Sequence, residues 1–149
     1  MVITSVEEML AFGRQIGASL NGGEVIELIG DVGAGKTTFV KGLATGMGIT
    51  EAVQSPSFTI NRIYDAPQGL RLAHYDFYRL DDPGIMGDEL DEMLADKQSV
   101  VVIEWAQAVE QLLPTDKLVL TITAPSETER HVDAQATGSM NNFITWQVS

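Results

Sequence analysis

Apolar and polar positions change period several times along the chain, and each change marks an element. Val6, Met9, Leu10, Ile16 and Leu20 recur at helical spacing, which predicts a helix over residues 5–20. Ser5, with Glu8 three residues later, has capping-box spacing, and Asn21-Gly22-Gly23 is a stop signal. The apolar run Val25-Ile26-Glu27-Leu28-Ile29 reads as a buried strand. Helical spacing returns over residues 38–47, with Phe39, Val40, Leu43, Ala44 and Met47 on one face. Residues 58–64 and 70–80 read as strands on either side of the turn at 65–69, which predicts an antiparallel hairpin.

Beyond the hairpin, residues 88–96 form a short acidic helix with Leu90, Met93 and Leu94 inward. Ser99-Val-Val-Val-Ile103 is a continuous β-branched run, the mark of a strand buried on both faces. Residues 105–113 read as helical until Pro114, and 117–123, 130–136 and 143–147 alternate as strands. This order predicts one domain over residues 1–149, a mixed sheet with helices rather than a fully parallel doubly wound one.

Between the first predicted strand and the second helix lies Gly30-Asp-Val-Gly-Ala-Gly35-Lys36-Thr37, which matches the phosphate-loop pattern G-x-x-x-x-G-K-[ST]. Strand, glycine loop and helix aim backbone N–H groups and a helix N-terminus at a polyphosphate. A lysine in a helix's first turn opposes the macrodipole unless an anion is also present. The expected fold is therefore α/β, a P-loop NTPase-like three-layer arrangement with a mixed central sheet flanked by helices. Backbone amides of Gly33, Ala34, Gly35, Lys36, Thr37 and Thr38 are the candidate phosphate ligands. Lys36 neutralises β/γ charge and the Thr37 hydroxyl ligates Mg²⁺.

Magnesium calls for further oxygen ligands. Glu104, closing the 100–103 run, is the candidate, as a metal or water-positioning group; aspartate is the commoner residue at such a strand end. On a strand, His74, Asp76 and Tyr78 share one face and Tyr75 and Phe77 the other. His74 and Asp76 can act on one water or metal, or serve structure alone. Ser55-Pro-Ser57-Phe-Thr59 places hydroxyls where switch-type nucleotidases carry a metal-reaching one, or forms a plain proline turn.

Charge narrows the partners. With 21 acidic against 9 basic residues the net charge is -12, and the cations are scattered, so a direct grip on nucleic acid is not expected. No run approaches the ~18 apolar residues of a membrane span. The opening residues lack a basic segment followed by an apolar one, so no secretory signal is expected. Without a cysteine there is no disulfide, thiolate metal site or cysteine nucleophile. The expected compartment is the cytoplasm.

Four segments, taken together, resemble one family. Gly30-Asp-Val-Gly-Ala-Gly-Lys-Thr-Thr-Phe39, Ser55-Pro-Ser-Phe-Thr59, His74-Tyr-Asp-Phe-Tyr-Arg-Leu80 and Val102-Ile-Glu-Trp105 look like the TsaE (YjeE) ATPases, in the family's order and spacing. The resemblance covers essentially the whole chain. It implies a bacterial cytoplasmic ATPase serving threonylcarbamoyladenosine synthesis in tRNA, at the adenosine beside the anticodon. It implies the TsaB and TsaD proteins as partners, TsaD transferring the threonylcarbamoyl group, with tRNA met only through that complex.

Carried over, the resemblance has Gly33 to Thr38 bind ATP and Thr37 with Glu104 hold Mg²⁺. Asp76 is the acid most needed for hydrolysis, beside Lys36 and Glu104, and Trp105 flanks the site. Thr4 and Arg130 close the adenine side. Ser57 stands where the family usually has threonine, and Gly84-Ile-Met-Gly-Asp-Glu-Leu90 lacks the family's acidic run and following glycine.

Three rival readings stand beside this one, and the first two have less support. A small P-loop kinase phosphorylating a metabolite generally needs an arginine-rich lid, and Arg14, Arg62, Arg71, Arg79 and Arg130 are scattered. A GTPase switch lacks any N-K-x-D segment. The third, a nucleotide-sensing binding module without turnover, stays open, because sequence does not fix a rate.

Overall fold

The computed structural model describes residues 1–31, 33–54, 61–78 and 84–138. Among these, seven strands form one sheet: β1 (Val2–Ile3), β2 (Val25–Ile29), β3 (Asn61–Asp65), β4 (Arg71–Asp76), β5 (Ser99–Glu104), β6 (Leu118–Thr123) and β7 (Arg130–Ala136). The spatial order is β1-β7-β6-β2-β5-β4-β3. The middle is parallel: β2 pairs with β5 and β6, and β4 with β5. Both rims are antiparallel, β3 on β4 at one side and β7 and β1 at the other. The expected mixed sheet is thus present, and β2 sits at its switch point, where α/β sheets place ligands.

Helices α1 (Val6–Gly17) and α2 (Lys36–Gly46) cover one face, and α3 (Ile85–Ala95) with a 3₁₀ segment at Ala106–Leu112 covers the other. Alternation along the strands divides the core between these layers. Ile26, Leu28, Val100, Val102, Leu118 and Leu120 point to α1 and α2, whereas Val25, Tyr75, Val101 and Ile103 point to α3. Residues 100–103 are essentially inaccessible on both faces, as their β-branched run requires.

Several element ends differ from expectation for local reasons. Ser5 caps α1 by accepting from the Glu8 N–H at 3.1 Å, but the Glu8 carboxylate turns to the Thr4 hydroxyl at 2.6 Å. The helix stops at Gly17 rather than residue 20, and Leu20 still reaches the core from the following turn. Strand β4 ends at Asp76, whose Oδ1 accepts the Tyr78 N–H at 2.9 Å, so Tyr78 leaves the face it was expected to share. The 106–112 segment is 3₁₀ rather than α-helical, and it follows Trp105, whose backbone lies in the left-handed region. Strand β1 has too few residues to show a period. The predicted strand at 143–147 lies outside the described residues.

Helices α1 and α2 meet backbone to backbone. A Cβ on Gly13 would collide with the Phe39 carbonyl, and one on Gly42 with the carbonyl of Leu10. Gly17 and Gly46 repeat the contact one turn on, against Leu43 and Arg14. Neither neighbour can yield, since each is main chain. Alanine at an open helix position gains about 1 kcal/mol over glycine. Here overpacking of about 1–3 kcal/mol outweighs that. Gly42→Ala is expected to lower the melting temperature by roughly 3–10 °C in a thermal scan. An unchanged or raised midpoint would show the seam to be loose.

Candidate phosphate-binding site

The chain leaves β2 at Ile29 and enters α2 at Lys36 through the glycine loop. Gly33 and Gly35 have φ of 84° and 109°, a backbone region that other residues adopt at a cost. Gly35 is the N-cap of α2, so no side chain caps the helix, and its first turn holds no acid. Helix α1, by contrast, has Ser5 as its cap and Glu7 and Glu8 in its first turn. The amides that begin α2 are arranged to receive an anion from outside.

Lys36 is only 6% exposed. Its Nζ donates to the Gly30 carbonyl at 2.6 Å, stands 3.6 Å from Glu104 Oε1, and lies 4.5 Å from the centre of the Trp105 ring. Trp105 reaches this place through a strained backbone, with φ and ψ both 57°. Tyr78 packs on the same indole at 4.8 Å between ring centres. Lysine, acid and aromatic ring thus close over the loop's mouth.

The two acids meet here. Asp76 and Glu104 are paired across the parallel β4/β5 ladder, each the last residue of its strand and each buried. His74 lies two residues before Asp76 on the same face and is fully buried. Its Nε2 is 2.5 Å from Glu104 Oε2. A carboxylate oxygen only accepts, so Nε2 carries the proton. Arg62 faces His74 across the β3/β4 ladder, two rungs below Asp76. Behind the sheet, burial pushes the Tyr75 phenol up to about 12, with the Glu89 charge adding to the shift and the Asn61 amide offsetting part of it.

Thr37 and Thr38 occupy the first turn of α2. Beside Thr38 is a cavity of about 280 Å³ that Thr4, Met9, Gly35 and Arg130 help to line. Arg130 is a clamp as well as a wall. Its Nε donates to the Ala34 carbonyl at 3.1 Å, and Nη1 donates to the Ser126 and Glu129 carbonyls at 2.9 and 3.0 Å. Of the expected site residues, Ser57 lies outside the described residues.

The His74–Glu104 bond and the Arg130 clamp were not read from sequence, because each joins residues far apart in the chain. The helix seam did leave a signal: glycines recur at i, i+4 in both helices, at 13 and 17 and at 42 and 46.

Sheet order, glycine loop and the buried lysine and acids together define an α/β protein of the phosphate-loop type. A family model described as "Threonylcarbamoyl adenosine biosynthesis protein TsaE" matches residues 3–132. The chain belongs to the TsaE family. It is 37% identical over 147 residues to the TsaE protein of Bacillus subtilis, covering 96% of this chain and 89% of the relative. With the TsaE protein of Streptomyces coelicolor it is 35% identical, covering 95% and 97%. The crystal structure of Bacillus subtilis YdiB superposes with a TM-score of 0.80 at 36% identity, over 99% of this chain and 91% of that one.

Proposed function

We propose that this TsaE-family chain is a Mg²⁺-dependent ATPase that serves threonylcarbamoyladenosine modification of tRNA, acting in the cytoplasm with the TsaB–TsaD complex. The observation that carries the reading is the convergence of Lys36, Asp76 and Glu104 on the uncapped start of α2. Amides of Gly33 to Thr38 hold the phosphates, and Lys36 turns from Glu104 to the β/γ oxygens. Arg130 and Thr4 line the cavity offered to the base.

The donor set suits magnesium. A hydroxyl and one carboxylate, Thr37 and Glu104, suit an ion that keeps most of its waters. When bound, Mg²⁺ neutralises charge that develops on the transferring phosphoryl group. Asp76 orients the attacking water and accepts its proton, while Trp105 and Tyr78 limit solvent at Lys36.

Turnover by the chain alone is slow in this reading. Arg62 shares the face but lies below the strand end, and Arg130 is committed to carbonyls. Arg79, the internal candidate for that role, lies outside the described residues, and in this reading a partner supplies the transition-state cation, a contribution of about 10³–10⁵-fold where such arginines act. Phosphate release measured with and without TsaB–TsaD tests this. Acceleration by the complex is expected; equal rates, or efficient phosphorylation of a small acceptor, would overturn it. The acidic surface leaves tRNA contact to the complex.

A further inference from the structure

We propose that His74 is the positioning residue of Glu104. Its Nε2–H fixes Oε2, so that Oε1 keeps its aim when Lys36 turns from the carboxylate to a phosphate. The inference rests on the ATPase reading above and adds to it a residue with a defined task.

Three observations carry it. First, the contacts on Glu104 are unequal: His74 is at 2.5 Å, whereas Lys36 stands at 3.6 Å, beyond a good hydrogen bond. The histidine is the tight constraint and the lysine the loose one. Second, Lys36 has two other holds, the Gly30 carbonyl and the Trp105 ring, so it can leave the carboxylate without Glu104 following. A carboxylate anchored only by that lysine would lose its orientation as the lysine moved.

Third, the histidine is costly where it is. It is fully buried, and Nδ1 has no hydrogen-bond partner. A buried polar atom left unpaired is unfavourable. Its neighbours on the same face, Leu72 and Val102, show that this layer accepts apolar side chains readily. Packing alone would favour another of those, so the bond to Glu104 is what the position gains from an imidazole.

The mode of action is orientation. His74 does not touch the reacting atoms; it aims a group that does, as outer partners of metal-binding carboxylates do. Loss of such a partner typically costs about 10–100-fold in metal affinity or activity.

The test compares three substitutions in the full chain, each checked for folding by thermal unfolding. His74→Gln can place an amide nitrogen where Nε2 stands; His74→Asn is one methylene too short; His74→Met fills the space without a donor. The primary readout is calorimetric ATP binding across a Mg²⁺ titration, with an EDTA arm, and phosphate release is the secondary one. In His74→Met and His74→Asn, the Mg²⁺ concentration giving half of the affinity gain is expected to rise about tenfold, with Mg²⁺-free ATP affinity unchanged. In His74→Gln it is expected to stay within about threefold of the parent chain.

Should His74→Met fail to fold, the Gln and Asn pair decides, since both bury an amide at the same place. Equal Mg²⁺ dependence in Gln and Asn, or a parent-like dependence in Met, overturns the role of His74 alone. A parent chain that binds no ATP, or binds it regardless of Mg²⁺, overturns the ATPase reading first.

Discussion

Lys36→Met should bind MgATP about 30-fold to several thousand-fold more weakly than the parent chain, a loss of roughly 2–5 kcal/mol. The lysine sits at the first position of α2, where its charge adds to the amides of the loop, and it is buried. Little water screens it there, so its attraction to phosphate is stronger than that of an exposed lysine. Lys36→Arg should not rescue binding. A planar guanidinium is wider than an ammonium and has to fit between the Gly30 carbonyl, the Trp105 ring and Glu104. Isothermal calorimetry measures both variants; affinity within about threefold of the parent for Lys36→Met would remove the lysine from nucleotide binding.

Asp76→Asn separates binding from turnover. The amide oxygen can still accept the Tyr78 N–H, so the turn that ends β4 should survive, while the charge beside Glu104 is lost. A positioned base contributes typically about 10²–10⁴-fold, and a loss of that order in phosphate release is expected with MgATP affinity little changed. Asp76→Ala should lose turnover as well, with an added cost to stability from the broken turn. If Asp76→Asn turns over at the parent rate, the proton leaves by another route and Asp76 is a structural acid.

How far the sequence disclosed this arrangement depends on the distance over which each feature acts. The glycine loop, the buried run ending in Glu104 and the inward face of α2 are local patterns, and the structure has them where the pattern puts them. The pairing of Asp76 with Glu104 is different: it follows from the register of β4 on β5, which no local period specifies. His74 read as ambiguous for the same reason, because its partner is 30 positions away. Tyr78 was misplaced by an alternation that continues past the strand's true end; the Asp76 carboxylate terminates the strand by capturing the next turn. Arg130 was expected at the base-binding side, but its carbonyl bonds to two loops have no sequence signature.

Strand β5 has parallel neighbours on both sides and helical layers above and below. Its amides should be among the last in the molecule to exchange with deuterium, near the limit set by global unfolding. Glu104 closes this strand, so it is attached to what should be the least yielding part of the protein. In the proposed reaction cycle, opening and closing fall to the opposite wall, the glycine loop that precedes Lys36 and the turn that bears Tyr78, while the acid stays still as the fixed point against which they move.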